Sequence, residues 1–200
     1  MVLTRTAARQ VVTLATVAGL ALGCGGDDSP GARTRDPATT TAAPSPTDSP
    51  SPSAQPAAGK PLPGPTFTAR APRGWKVERG GSSTVLSTIY AADVEPDGNV
   101  VGFLRIADGS AFVYDPLARL ARQRAHSSEY QKPPEILETV YVDSVEMYHV
   151  AGAVGHGNHV IDLGAIVGKN LVEIHIESDA RTPEELQAVL DSILATWRWR

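Results

Sequence analysis

Every aromatic residue of this chain lies at Phe67 or later, and that segregation decides which part of its 200 residues can fold. Residues 25–65 are mostly Gly, Asp, Ser, Thr, Ala and Pro, with ten prolines among them. A stretch of this composition cannot bury enough apolar surface to offset the entropy of ordering it. It reads as a disordered tether, and at ~3.1 Å per residue for a Pro-rich chain its reach is at most ~130 Å. The folded part is therefore expected over 66–200, one domain of ordinary size.

The tether begins at Cys24, the single cysteine, which closes Leu20-Ala21-Leu22-Gly23-Cys24. Arg5 and Arg9 precede an uncharged run from Val11 to Gly23, and Gly23 is the small residue that a signal protease needs before its cut. The run is too short to span a bilayer, which takes ~20 apolar residues. It predicts a removable signal peptide over 1–23, followed by a lipidated Cys24 and the tether over 24–65. Ala21, three residues before the cysteine, stands where lipoprotein signals more often carry Leu or Val. Two fatty chains of the palmitate type on Cys24 would suffice for stable anchoring, whereas one chain gives only reversible binding. With one cysteine the exported domain has no internal disulfide and must be stable through its core alone.

Over 66–200 thirteen Lys and Arg stand against eighteen Asp and Glu, a net charge of −5. A nucleic-acid binder needs a basic face, and only Arg119, Arg122 and Arg124 cluster, so nucleic acid is excluded as a partner. The three arginines read as a solvated helix face, with a patch for anionic lipid as the competing reading.

Strands are expected at Phe67 to Ala69, Trp75 to Val77, Thr84 to Ala91 and Val100 to Ile106, the last two joined through Glu95-Pro96-Asp97-Gly98-Asn99. Asp115-Pro116 supplies an N-cap and a first-turn proline for a helix through Leu117, Leu120, Ala121 and Ala125, with Pro133-Pro134 blocking any extension. Four more strands follow at Ile136 to Val142, Glu146 to Val154, His159 to Val167 and Leu171 to Glu177. Thr182-Pro183-Glu184-Glu185 is a capping box, and Leu186, Val189, Leu190, Ile193, Leu194 and Trp197 then form one apolar stripe. Strands, helix, strands, helix is the order of an α+β domain, a mainly antiparallel sheet with helices packed on it.

Phe67-Thr68-Ala69-Arg70-Ala71-Pro72-Arg73-Gly74-Trp75 and the terminal Leu190-Asp191-Ser192-Ile193-Leu194-Ala195-Thr196-Trp197-Arg198-Trp199 resemble the LpqN-type exported lipoproteins of actinobacteria. The resemblance covers about 66–200. It implies a PsbP-like α/β/α sandwich and a non-catalytic module of the cell envelope, with no catalytic residues to carry over. The His-containing hairpin around Gly155 to His159 departs from that pattern.

That hairpin holds the sharpest chemical possibility. With Gly155-His156-Gly157-Asn158 as one turn and Lys169-Asn170 as the next, His149, Gly164 and His175 fall in one row on one face, with Asp162 and Glu177 a step along it. His149, His175 and Asp162 then become candidate zinc ligands, with room left at Gly164. A one-residue error in either turn destroys the row, and alternating Glu173, His175 and Glu177 also describes a strand with one wet face. Gly152-x-x-Gly155-x-Gly157 is followed by a strand, so it offers no helix amides to a phosphate.

The expectation is a monomeric, extracytoplasmic module held at the outer leaflet of the cytoplasmic membrane by its lipid. Its partner would be an envelope protein, a lipid or a cell-wall component, and it would need no cofactor. The competing expectation is an envelope metalloenzyme using His149 and His175.

Overall fold

The computed structural model describes residues 54–83, 85–110 and 115–200, the side chains of Ser82 and His156 excepted. The signal segment, Cys24 and the tether through residue 53 lie outside the described residues, as does Thr84. All described residues belong to one unit, Asp48–Arg200. Among them no helix is long and apolar enough to cross a membrane.

Three strands, β1 (Pro61–Pro63), β2 (Phe67–Arg70) and β10 (Arg198–Trp199), make a small antiparallel sheet in the order β1-β2-β10. The main sheet has seven strands: β3 (Lys76–Ser82), β4 (Leu86–Val94), β5 (Val100–Ser110), β6 (Glu135–Val142), β7 (Val145–Val154), β8 (Asn158–Val167) and β9 (Asn170–Ser178). Their order is β3-β4-β5-β9-β8-β7-β6, and every pair is antiparallel. Helix α1 (Leu117–Ala125) packs on one face and α2 (Pro183–Leu194) on the other. The chain is thus an α+β domain built on a mainly antiparallel sheet with helices packed on it.

The alternation that predicts each strand also sorts the faces. Leu104 and Ile106 of β5 join Ile161, Leu163, Ile174 and Ile176 beneath α2, which presents Leu186, Leu190 and Ile193, all fully buried. The capping box forms as expected: the Thr182 hydroxyl accepts from Glu185 N, and the Glu185 carboxylate accepts from Thr182 N at 2.9 Å. The apolar stripe outlasts the helix. Helix α2 stops at Leu194, and Trp197 lies in the following turn, stacked on Phe67 at 4.2 Å between ring centroids. The small sheet closes this end of the core.

Two expectations change. The fold reaches back into the stretch assigned to the tether, because Leu62 and Ala57 are buried and Ala57 N donates to Ser192 O at 2.8 Å. Proline is tolerated in β1 because β1 is an edge strand and Pro61 and Pro63 lack only outward-facing donors. Asp115 does not cap α1: Pro116 holds that position with no side-chain bond, and Asp115 pairs with Arg119 at 3.0 Å.

Helix α1 is short and packs chiefly on β6, β7 and β8, with Leu120 and Ala121 packed on Tyr148 and Val150. Among the described residues no helix lies over the same face of β4 and β5, and Phe103, Arg105 and Ala107 are half-buried there. That uncovered half of the sheet positions the site.

Candidate functional site: a charged cleft on the open sheet face

The register places Val150, Asp162, His175, Arg105 and Tyr90 directly opposite one another across β7, β8, β9, β5 and β4. All five project toward the α1 face, since successive side chains of a strand alternate. Asp162 is 3% exposed, and a carboxylate that deep is tolerated only when its lone pairs are taken up. They are. Oδ1 lies 3.0 Å from Arg124 Nη2 and 2.9 Å from His175 Nδ1, and Oδ2 accepts from the Tyr130 hydroxyl.

Asp162 can only accept, so His175 Nδ1 carries the proton of that bond. Arg124 Nη2 is also 3.1 Å from Nδ1. Both are donors converging on one oxygen, so this short separation is a shared acceptor rather than a hydrogen bond between them. His175 Nε2 is turned toward Glu177 Oε2, 3.6 Å away. Arg124 comes from the last turn of α1 and Tyr130 from the connection behind it, with Glu129 closing on Arg124 at 2.7 Å and the guanidinium 5.5 Å over the Tyr130 ring. The cluster therefore fastens the end of α1 to the middle of the sheet.

Electrostatics follow from this geometry. Burial opposes the Asp162 charge, but the His175 bond and the Arg124 guanidinium outweigh it and hold the carboxyl below its ordinary range. Burial likewise opposes a charged His175, and the Asp162 bond with the nearby Glu177 carboxylate overcomes it, so its imidazole is raised. The His175 ring holds Glu177 below its usual value. Burial, followed by the Asp162 charge, raises Tyr130 and keeps its phenol a donor.

In front of His175 opens a cleft of about 570 Å³, lined by Tyr90, Phe103, Arg105, Glu129, Val154, Asn158 and Glu177. Tyr90 and Phe103 stack at 5.7 Å with 29° between their planes. Arg105, in mid-strand between them and His175, has no acidic oxygen within 4 Å among the described residues.

Of the candidate ligands, Asp162 and His175 meet and His149 does not join them. His149 pairs with Leu137 and Leu163 and faces α2, on the opposite side of the sheet. It is 8% exposed, its Nε2 has no partner, and burial pushes its pKa down so that the ring stays neutral. The expected row of His149, Gly164 and His175 is thus overturned by its register. The space at Gly164 is filled by the Tyr148 ring, whose hydroxyl donates to Glu173 at 2.8 Å. Among the described residues no group of three or more His, Cys, Asp or Glu is arranged to hold a metal ion.

Arg124 and Tyr130 were not foreseen. Arg119 and Arg122 are exposed, but Arg124 turns inward with its side chain 13% exposed, which corrects the solvated-face reading for that one residue. The signal was its place four residues after Leu120, on the apolar stripe of α1.

No family model matches the chain, and no curated protein matches it. A crystal structure from Bacteroides thetaiotaomicron is similar over 71% of this chain and 48% of its own, at 15% identity and a TM-score of 0.44. This chain thus spans about half the length of that one, and a likeness so distant carries nothing to the site.

Proposed function

We propose that the chain is an exported lipoprotein, acylated on Cys24 and held at the outer leaflet of the cytoplasmic membrane, whose domain is a non-catalytic binding or accessory module of the cell envelope. The anchoring half rests on the sequence: a positive front at Arg5 and Arg9, an uncharged run to Gly23 and the cysteine behind it. The tether read from the sequence behind Cys24 would let the domain meet a partner away from the bilayer.

The binding half rests on one observation, the cleft whose floor is an ionic cluster in which both oxygens of the buried Asp162 carboxylate are taken up, though Arg124 Nε has no partner. Three side chains converging on one buried carboxylate hold their surroundings in one geometry, which lowers the ordering cost of binding. His175 Nε2 faces Glu177, an acid that keeps the imidazolium in place, rather than a hydroxyl or thiol that it would activate. The arrangement suits recognition better than turnover.

The experiment is photocrosslinking in cells of the native host, with a photoreactive phenylalanine analogue at position 103 and the same analogue at position 169, an exposed turn, as the control. Adducts from position 103 alone support the reading. Equal labelling from both positions, or none from 103, contradicts it.

A further inference from the structure

We propose that the cleft takes a small aromatic monocarboxylate, its carboxylate gripped by Arg105 and its ring laid on Tyr90 and Phe103. This inference rests on the reading of the cleft as the binding surface and names the ligand class for it.

Six charges converge on the cleft and its floor: Arg105, His175 and Arg124 against Asp162, Glu129 and Glu177. Arg124 holds Asp162 and Glu129, and His175 lies between Asp162 and Glu177. Arg105 has no carboxylate oxygen within 4 Å among the described residues, although its charge also favours the ionised form of Glu177. It stands directly opposite His175 in the β5–β9 ladder, and like charges facing each other across a strand pair destabilise the sheet. The Arg105 charge opposes that of the His175 ring, in keeping with this placement. An anion against Arg105 would relieve the repulsion.

Glu129 and Glu177 line the same cleft, so a dianion such as phosphate meets two carboxylates for one unpaired cation. A carboxylate carries one charge, and its two oxygens match the fork of a guanidinium. Tyr90 is the direct neighbour of Arg105 on β4, and Phe103 lies two residues before it on β5, stacked on Tyr90. A ring attached to a carboxylate held by Arg105 comes to rest on that aromatic pair, where offset stacking is favourable. A volume of about 570 Å³ accommodates one small molecule.

The test is titration of the full ¹⁵N-labelled chain with phenylacetate, with phenylacetamide as the neutral isostere and phenylphosphonate as the dianion. Phenylacetate is expected to shift the amide signals of Tyr90, Phe103, Arg105 and His175 saturably, and to bind at least tenfold more tightly than either control. Arg105→Gln should abolish the preference for phenylacetate over phenylacetamide, and Arg105→Lys should weaken it. Arg105→Gln is also expected to melt at or above the temperature of the wild type, since it removes the repulsion with His175, so lost binding would not reflect unfolding. If phenylacetamide binds the cleft as tightly as phenylacetate, or Arg105→Gln binds phenylacetate unchanged, the ligand class is wrong while the cleft reading stands. If none of the three shifts the cleft signals, the proposal is overturned, and silence from the crosslinker at position 103 would then overturn the cleft reading with it.

Discussion

Asp162 and His175 stand directly opposite each other on β8 and β9, with Nδ1 2.9 Å from Oδ1, and Arg124 reaches the same oxygen from α1 at 3.0 Å. One buried carboxylate therefore joins two central strands to a helix that otherwise rests on a few apolar contacts, chiefly Leu120 and Ala121 on Tyr148 and Val150.

Removing the charge at Asp162 should expose that dependence. Breaking a buried ion pair from one side leaves the other charge uncompensated and costs about 3–5 kcal/mol. Asp162→Asn keeps the shape and some hydrogen bonding, so the lower end, about 3 kcal/mol, is expected from urea unfolding, with the midpoint falling and the slope unchanged. A midpoint within experimental error of the wild type would show that the cluster does not hold α1.

Stability should depend on pH with two opposing histidines. His175 is raised on folding, so its contribution is complete below the ordinary imidazole value of about 6.5 and is lost as pH rises through its folded value above that. His149 is lowered on folding, so its effect has the opposite sign: stability is lost as pH falls below about 6.5 toward its folded value. Asp162, also lowered, gives a contribution that is present above the ordinary carboxyl value and lost at acid pH. Melting temperatures measured from pH 5 to 9 should fall on the alkaline side in the wild type and not in His175→Gln, while His149→Gln should lessen the loss between pH 6.5 and 5. Identical alkaline slopes in wild type and His175→Gln would contradict the assignment.

Gly164→Ala should be costly although it adds a single methyl. A Cβ there would overlap the Tyr148 ring, which lies across the glycine from the adjoining strand and is only 2% exposed. Overpacking at such a place costs about 1–3 kcal/mol. A loss of that size in thermal unfolding is expected, and Gly168→Ala serves as a contrast: nothing stands within 4 Å of its Cβ position, so its cost comes only from a φ of +61°. Equal stability of Gly164→Ala and the wild type would contradict the packing.

β2, the seven strands of the main sheet, both helices and the capping box were legible because alternation and spacing are local, whereas the short β1 and β10 carry no such pattern. Register was not, because it depends on how many residues each turn consumes. The β7–β8 loop spends three residues, Gly155–Gly157, in a 3-10 turn that leaves Val154 opposite Asn158. Treating Asn158 as part of the turn slips the pairing by one, and a slip of one exchanges the faces. His149 consequently goes to α2, while Asp162 comes to the side of Tyr148. The next turn slips by two, since Gly168 and Lys169 form it and Val167 pairs with Asn170, Gly168 supplying the positive φ. A slip of two preserves the face and only shifts the row, so Asp162 and His175 were rightly placed on one side. Arg124 was hidden for a different reason: a charge on an apolar stripe is read as solvated until a buried acid across the interface is known.

Anchoring is checked by fractionation. Cys24→Ala is expected to move the protein from the membrane pellet to the medium, because two acyl chains are what stable attachment takes. Retention of Cys24→Ala in the pellet would count against the lipid anchor.

The most direct measurement of the central claim is an amide-shift map of the full ¹⁵N-labelled chain titrated with an extract of the host's envelope. The account predicts saturable shifts gathered on β4, β5 and β9 around Tyr90, Phe103, Arg105 and His175. Shifts confined to the opposite groove of about 720 Å³ beneath α2, around Leu137, Ala151 and Gln187, would contradict it.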